Sequence, residues 1–296
     1  MGNGIGRISE WGIFVRRLKK GLLLLFLIIL AVAVWFPLAF LLGGSFMGTQ
    51  EVLQKLGPVL GDMKGFASWS LIPQYPTLRP YVELLLDSPQ FFVMFWNSVR
   101  LTAGVLFGQM IVGVPAAWGF ARYDFPGKGA LFTLYIVLML MPFQVTMVSN
   151  YLVLNRLSLL DTHMGIILPA VFSTFPVFIM YRFFRGIPRS LIESARLDGA
   201  SEWQIFWRIG LPLGSAGVMS AMVLSFLECW SMIEQPMTFL KNRSLWPLSL
   251  YLPDIAADRA GLALAASVTA LIPAILVFLY GQTYLEQGII AAGVKE

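Results

Sequence analysis

Long uncharged stretches alternate with short polar connections along this chain. The first runs from Gly21 to Gln50 without a charged residue. Further apolar runs follow at about 91–121, 128–156, 161–182, 211 to the 230s and 259–286. Because an α-helix needs about 20 apolar residues to cross a bilayer, the pattern predicts an all-α membrane protein. We expect six transmembrane helices, with both termini on the same side.

The polar segments divide the predicted protein into a membrane core and its flanks. Ala31-Val32-Ala33 has the small residues of a signal-peptidase site, but the apolar run continues well beyond it, so we predict an uncleaved first helix. A short helix is expected near 51–56. The predicted segments are a cytoplasmic N-terminal segment at 1–20, a first transmembrane helix at 21–43, an external loop at 44–90, a core transmembrane domain at 91–285 and a cytoplasmic tail at 286–296.

Basic residues favour the orientation with both termini in the cytoplasm. Loops on the cytoplasmic side of a membrane are enriched in lysine and arginine. With the N-terminus inside, thirteen basic residues are cytoplasmic: Arg7, Arg16, Arg17, Lys19, Lys20, Arg122, Lys128, Arg182, Arg185, Arg189, Arg196, Arg208 and Lys295. Seven are external: Lys55, Lys64, Arg79, Arg156, Lys241, Arg243 and Arg259. We therefore predict an N-in, C-in membrane protein.

The segment 186–212 separates the fourth and fifth apolar runs and has a different pattern. Pro188 suits the first turn of a helix, and Ser190 with Glu193 fits a capping box. This helix should continue to about Leu197. Gly199 then supplies a left-handed turn without a Cβ clash.

A second short helix is expected directly after that turn. Ser201 and Gln204 fit another capping box, and Gly210 with Pro212 should end the helix after about Ile209. Trp203, Phe206 and Trp207 are spaced so that they share one face. On this pattern alone, an amphipathic connector that lies on the membrane surface is an equally good interpretation.

Composition excludes several classes of function. Only 12% of the 296 residues are charged and 57% are hydrophobic, whereas soluble domains have about 25% charged residues. One cysteine and one histidine exclude an intrachain disulfide and multi-histidine metal sites. No phosphate-binding loop of the GxxxxGK[ST] type is present, so the chain has no such site for ATP. The net charge is +5, but the sequence contains no nucleic-acid-binding motif, so the charge does not indicate a nucleic-acid partner.

The segment 186–212 resembles the EAA loop of the membrane subunits of binding-protein-dependent ABC importers. The matching residues are Glu193-Ser194-Ala195, Asp198-Gly199-Ala200 and Ile209-Gly210-Leu211-Pro212. Ser194 departs from the usual alanine. The resemblance implies that this cytoplasmic loop docks into a cleft of a separate ATPase. The implied docking residues are Glu193, Ser194, Ala195, Asp198, Gly199, Ala200, Ser201, Trp203, Leu211 and Pro212.

Further matches across residues 80–295 resemble the carbohydrate-importer permeases of this family, and most closely the G-type permease of the maltose system. They include Asn97-Ser98, the segment from Ala116 to Lys128, Leu157 to Pro169, and the tail with Gly293 and Lys295. The resemblance implies the type I importer permease fold and a tail contact through Gly293 and Lys295. It also implies a second homologous permease, two ATPase subunits that hold ATP and magnesium, an extracytoplasmic solute-binding protein and membrane lipid as partners. The location that it implies is the bacterial cytoplasmic (inner) membrane. No cofactor and no nucleic acid are expected on this chain.

Carboxylates near the end of the fifth apolar run are candidates for the transport path. Ionisable residues inside a membrane are usually functional, and carboxylates with aromatic faces suit sugars. We name Glu228, Trp230, Glu234 and Gln144 as possible path residues, with Ser231 where the family usually has asparagine. Alternatively, the fifth helix ends near Leu227 and both glutamates lie in interfacial water. Pro142 and Gln144 would form a kink that lines the path or serves packing alone.

We therefore expect a permease subunit that imports a sugar or oligosaccharide and is not itself an enzyme. An ABC importer permease for another solute, such as glycerol phosphate, a polyol or a peptide, remains an alternative. An ion-coupled secondary transporter usually has inverted repeats and paired midplane ionisable residues, which we do not find. An intramembrane enzyme would need a nucleophile motif, and His163 stands alone.

Overall fold

The computed structural model describes residues 4–60, 66–251 and 259–293, with side chains given for 17–60, 66–251 and 259–286. The regular secondary structure of these parts is helical, and their β structure is limited to an isolated bridge between Met47 and Pro76. The chain divides into two compact units. The first comprises Met1–Leu84 with Leu252–Thr269, and the second comprises Leu85–Tyr251 with Ala270–Glu296.

The first unit contains the helices α1 (Gly4–Gly44) and α2 (Thr49–Leu60), and the starts of α3 (Arg79–Leu86) and α14 (Ala260–Gly293). The part of α1 from Arg17 onward is long and apolar enough to cross a membrane, and its side chains are almost all exposed. A protein surface of this composition faces lipid. The predicted short helix near 51–56 lies within α2.

The second unit is built around α4 (Pro89–Arg122). It continues with α5 (Lys128–Leu140), α6 (Phe143–Arg156), α7 (His163–Val171), α8 (Thr174–Gly186), α9 (Arg189–Leu197), α10 (Glu202–Ile205), a π-helical turn (Phe206–Gly210), α11 (Leu211–Leu213), α12 (Ser215–Ser231) and α13 (Glu234–Phe239). Two short 3₁₀ turns, Arg243–Leu245 and Leu248–Leu250, follow. The remainder of α14 completes the unit.

Helix breaks decide how many spans the described residues contain. Four helices or helix pairs are continuous enough to cross a membrane: Arg17–Gly44, Pro89–Arg122, His163–Gly186 and Ala260–Glu286. Two further candidates are bent, by 107° between α5 and α6 and by 69° between the segment Glu202–Leu213 and α12. The predicted six helices are therefore found when each bent pair is counted as one span. The predicted kink at Pro142 is confirmed as the sharper of the two bends.

The core of the second unit forms where α4 packs against α7, α8 and α12. Trp118 of α4 meets Phe184 of α8 edge-on, with ring centroids 5.4 Å apart. Met180 and Ala221 are also fully buried there. Side chains from α4, α8 and α12 thus fill one continuous apolar cluster, which reaches the loop 186–212.

Hydrogen bonds from α4 hold the connection that follows α13. The Asn97 side-chain amide donates to the carbonyls of Ser244 at 2.7 Å and Trp246 at 3.1 Å. The Ser98 hydroxyl accepts from the Leu248 N–H at 2.7 Å. Both α4 side chains are buried, so Asn97 and Ser98 have a structural role.

Two predicted helix boundaries in the segment 186–212 are wrong. Ser190 does not cap α9, because the helix already begins at Arg189 with Pro188 as its N-cap and without a side-chain cap bond. Gly210 and Pro212 do not end the second helix. The π-helical turn widens the backbone before Pro212, so the proline is accommodated in the first turn of α11 and the helical path continues.

Candidate coupling loop and membrane cavity

The turn between α9 and α10 is fixed by its own backbone. Gly199 has φ +82°, as predicted, and its N–H donates to the Arg196 carbonyl at 3.0 Å. The Ala200 N–H donates to the Ala195 carbonyl at 3.0 Å. These two bonds form a Schellman motif, which satisfies carbonyls that a helix end leaves free. An ideal Cβ added to Gly199 would meet no atom within 4 Å, so the positive φ alone accounts for the glycine.

The start of α10 is capped as predicted. The Gln204 N–H donates to the Ser201 hydroxyl at 3.3 Å, and the Ser201 N–H donates to the Gln204 side-chain oxygen at 2.8 Å. Both capping-box bonds are therefore present.

An ion pair that the sequence analysis did not identify clamps the two helices together. The Arg196 Nε donates to Glu202 Oε1 at 2.6 Å, and its Nη2 donates to Oε2 at 3.2 Å. The Tyr123 hydroxyl, from the connection after α4, donates to the same carboxylate at 3.1 Å. The sequence feature that could have predicted this ion pair is the placement of Arg196 and Glu202 on either side of the glycine turn.

One face of the loop is buried against the membrane core. Ile192, Ile205 and Phe206 belong to the same apolar cluster as Trp118 and Phe184. The opposite face is exposed: Leu197 is 88% and Trp203 is 65% exposed. The rings of Trp203, Phe206 and Trp207 contact one another, with centroids 5.4–5.6 Å apart, as their spacing predicted. The loop therefore has one face anchored in the core and one exposed face, which carries Leu197 and Trp203.

The structure separates the ten predicted docking residues into two groups. Seven are exposed: Glu193, Ser194, Asp198, Gly199, Ser201, Trp203 and Pro212. Ala195, Ala200 and Leu211 are half-buried and pack against the apolar cluster. These three small or apolar residues hold the loop on the membrane core instead of offering a free surface.

Arg122 joins the end of α4 to the start of the loop. Its guanidinium Nη2 donates to the carbonyls of Phe184 and, at 2.6 Å, Ile187. The same group lies over the Trp118 ring, 5.5 Å from its centroid. A cation at the C-terminus of α8 complements the helix dipole, so Arg122 fixes the point at which the loop leaves the core.

A close helix contact fixes the far end of the loop. An added Cβ on Gly210 would lie 2.6 Å from the Trp118 ring. The absence of a side chain at Gly210 therefore lets the π-helical turn approach α4.

A cavity of about 410 Å³ lies in the second unit where three helix breaks meet. The breaks are those between α5 and α6, between α7 and α8, and between α12 and α13. The polar side chains that line it are Gln109, Thr146, Asn150, Ser173, Thr174, Glu228 and Gln235. Gln109 is buried and donates to the Ala170 carbonyl at 3.0 Å, at the broken end of α7. The volume falls in the range of small-molecule sites, roughly 300–1,000 Å³.

The structure places the predicted path residues in different environments. Glu228 lines the cavity, because α12 continues past Leu227 to Ser231. Gln144 and Glu234 are brought together from α6 and α13: the Gln144 amide donates to both carboxylate oxygens, at 2.7 and 2.8 Å. Both are exposed.

Trp230 does not lie on the cavity. Its indole N–H donates to the Ala270 carbonyl of α14 at 2.9 Å, and its ring stacks on Phe226. The side chain is buried by these contacts. In this structure α12 turns the side chain toward α14.

Two remaining expectations concern the tail and metal ions. Gly293 is the last residue of α14, and Lys295 lies outside the described residues. Within the part of the chain that the structure describes, no group of three or more His, Cys, Asp or Glu side chains is placed to hold a metal ion.

Comparisons with known proteins place these features in a family. The family model described as "Binding-protein-dependent transport system inner membrane component" matches residues 109–291. The arabinooligosaccharides transport system permease protein AraQ of Bacillus subtilis is 30% identical over 280 residues, which cover 92% of this chain and 95% of that protein. The diacetylchitobiose uptake system permease protein NgcG of Streptomyces coelicolor is 27% identical, over 85% of this chain and 81% of that protein.

A solved structure has the same fold. It is the crystal structure of a bacterial ABC transporter involved in the import of the acidic polysaccharide alginate. A chain of that structure aligns with a TM-score of 0.76 and 22% sequence identity, covering 90% of this chain and 96% of its own.

Proposed function

Because this chain belongs to the family of binding-protein-dependent transport system inner membrane components, we propose that it forms half of an import path for an oligosaccharide and receives ATP-driven motion through the loop 186–212. Membership makes the chain a multi-pass inner-membrane permease of an ABC importer, and a transport component without catalytic activity. An ion-coupled transporter and an intramembrane enzyme are therefore set aside.

The observation that carries the coupling role is the two-faced construction of the loop. Its buried face shares an apolar cluster with α4, α8 and α12. Its exposed face presents Leu197 and Trp203. The turn at Gly199 is closed by its own hydrogen bonds and by the ion pair between Arg196 and Glu202. A displacement of the exposed face therefore moves the attached spans with little deformation of the loop itself.

The coupling acts by shifting a conformational equilibrium. ATP brings two partner ATPase subunits together, and the docked loop follows them. The path then changes from inward-open to outward-open. For this to happen, the ATPase dimer must bind the two permease conformations with different free energies. A rigid loop meets that requirement because it presents its docking face in a fixed relation to the core.

The cavity supports an oligosaccharide as the substrate class. Its polar lining combines amide, hydroxyl and carboxylate groups, which can exchange hydrogen bonds with sugar hydroxyls, beside methionine and phenylalanine side chains. The names of two relatives refer to arabinooligosaccharides and diacetylchitobiose. The closer likeness to the maltose-system permease stays a prediction, and an importer for another solute remains the second candidate.

The complete transporter in this proposal contains a second, homologous permease that closes the path, two ATPase subunits and an extracytoplasmic solute-binding protein. Both termini of this chain lie in the cytoplasm, which places the loop on the ATPase side. A reporter that is active only outside the cell should be silent after Arg196 and active after Arg243. The opposite pattern would refute both the orientation and the docking role.

Disulfide cross-linking tests docking directly. Cys229 is the only thiol, so Cys229→Ser provides a cysteine-free background. Leu197→Cys adds one thiol at the most exposed position of the turn, and a second is placed in the cleft of the ATPase. A disulfide requires the two Cα atoms to come within about 7 Å. We expect a cross-link whose yield changes on addition of ATP.

The matched control is Asn155→Cys, an exposed thiol at the end of α6. It should not react with the ATPase. A cross-link at Asn155 together with none at Leu197 would show that docking uses another surface. This outcome would remove the main support for the proposed coupling role.

The Gln144–Glu234 pair tests the path. Gln144→Glu would place two carboxylates within hydrogen-bond distance, and their repulsion should separate α6 from α13. We expect altered uptake affinity for the oligosaccharide, with unchanged co-purification of the ATPase. Asn155→Asp is the control, since it adds a carboxylate to an exposed position of the same helix that does not line the cavity. Unchanged uptake by the Gln144 variant would show that this pair does not lie on the path.

A further inference from the structure

The segment 66–78 in the first unit exposes an unusual amount of apolar surface. Phe66 is 99%, Ile72 79% and Tyr75 80% exposed, and Trp69 and Leu78 are also exposed. No residue from 66 to 78 is charged. Isolated exposed apolar side chains are common, but a contiguous group without any charge marks an interaction surface.

This segment is fixed to the end of α1. The Thr77 N–H donates to the Phe46 carbonyl at 2.8 Å. The rings of Phe40 and Trp69 contact each other, with centroids 5.1 Å apart. The Leu71 carbonyl approaches Gly43 so closely that an added Cβ there would lie 1.9 Å from the oxygen. The position of the segment relative to α1 is therefore set by several independent contacts.

The length of α1 gives the depth of that contact in the membrane. Lys19 and Lys20 mark one boundary, and the uncharged run begins at Gly21. Gly43 lies 22 residues further along the same helix, which at about 1.5 Å per residue is about 33 Å. The hydrocarbon core of a bilayer is about 30 Å thick. Gly43, and with it the segment 66–78, therefore lies at the opposite boundary of the membrane.

The backbone of the segment suits a position with little water. The N–H groups of Gln74 and Tyr75 donate to the buried Glu51 carboxylate, at 2.8 and 3.4 Å. The Ser68 N–H donates to the Lys55 carbonyl at 3.0 Å. Residues 73 and 76 are prolines and have no N–H to satisfy. Backbone groups near lipid must find partners inside the protein, and the N–H groups of Ser68, Gln74, Tyr75 and Thr77 do so.

We infer that residues 66–78 form an interfacial anchor that rests in the lipid headgroup region, with Phe66, Ile72 and Tyr75 against the acyl chains. The occupant is lipid because the patch continues the exposed surface of α1, which spans the membrane, through the Phe40–Trp69 contact. Trp and Tyr are also the residues that favour membrane–water interfaces. The anchor fixes the depth of the first unit and does not depend on which solute is transported.

Collision measurements on spin labels test this inference. Ile72→Cys and Tyr75→Cys are made separately in the Cys229→Ser background, and each is labelled with a nitroxide. The transporter is reconstituted with its partner subunits in nanodiscs of phosphatidylethanolamine and phosphatidylglycerol. Oxygen partitions into lipid, whereas a nickel chelate stays in water. We expect both labels to collide more with oxygen than with nickel, as a label at Leu27 in the middle of α1 should.

Gln54→Cys on α2 is the matched control, an exposed polar position of the same unit. Its label should collide more with nickel than with oxygen. The inference is overturned if the labels at both Ile72 and Tyr75 follow the Gln54 control. It is equally overturned if both are shielded from oxygen and nickel alike, because a protein partner would then cover the patch. Both substitutions replace exposed side chains and leave the backbone bonds to Glu51 in place, so folding is not expected to limit the test.

Discussion

Substitutions of Gly199 should weaken ATPase docking in an order set by backbone conformation alone. Gly199 has φ +82°, and an added Cβ would meet nothing within 4 Å. The free-energy cost of a side chain at this position is therefore that of the left-handed backbone conformation, since no steric clash adds to it. For alanine this is about 1–2 kcal/mol, which corresponds to a loss in affinity of roughly 5–30-fold. The affinity falls because the undocked loop can relax out of the left-handed turn, whereas the docked loop must hold it.

The order of three variants separates this explanation from a packing effect. Asparagine tolerates the left-handed region and should cost the least. Valine is β-branched and should cost more than alanine. The affinity of the purified permease complex for the ATPase subunit, measured by titration in nanodiscs, gives each value. The reasoning is refuted if Gly199→Val binds as well as Gly199→Asn, since the turn would then not be left-handed in the docked state.

Three further changes have defined outcomes. Arg196→Gln and Glu202→Gln should each weaken docking slightly. The double variant should lose less docking free energy than the sum of the two single losses, by about 0.2–1 kcal/mol for an exposed ion pair. Additive losses would show that the pair does not stabilise the docked loop. Burial acts to raise the pKa of Glu51, but hydrogen bonds from Lys55 and from two backbone N–H groups outweigh it and hold the pKa below its ordinary value. Because that pKa is depressed, Glu51 contributes fully to stability above its unfolded pKa of about 4.3. The contribution is lost only as the pH falls through the lower folded pKa. A spin label at Tyr75 should therefore keep its mobility until the pH reaches the folded pKa, and become more mobile below it. Gly210→Ala should lower thermal stability through overpacking of about 1–3 kcal/mol against the neighbouring indole ring, and an unchanged melting temperature would show that the π-helical turn can move away.

Local rules explain what the sequence predicted correctly. The left-handed turn at Gly199 and the capping box of Ser201 and Gln204 depend on residues within a few positions of one another. The apolar runs depend only on length and composition. These features therefore follow from the sequence without knowledge of the rest of the fold.

The features that the sequence did not predict depend on contacts between distant segments. The Gln144–Glu234 pair joins residues 90 positions apart, and the hydrogen-bond partner of Trp230, Ala270, lies on another helix. The failed cap at Ser190 has a different cause. Its Ser-x-x-Glu pattern is equally compatible with a position inside the helix, and the preceding proline decided where α9 begins.

The π-helical turn at Phe206–Gly210 has a consequence for how sequences of this kind can change. It closes a wider ring, in which the Leu211 N–H bonds to the Phe206 carbonyl, and so holds one residue more than an ordinary turn. Because the wider turn takes up that residue locally, the segments on its two sides keep the relative rotation of one continuous helix. Removing a single residue within the turn would restore an α-helix and leave Trp203 on the docking face, whereas a deletion from an ordinary helical turn rotates one side by about 100° relative to the other. Lineages that retain coupling should therefore vary in length by one residue at this turn more readily than elsewhere between loop and span.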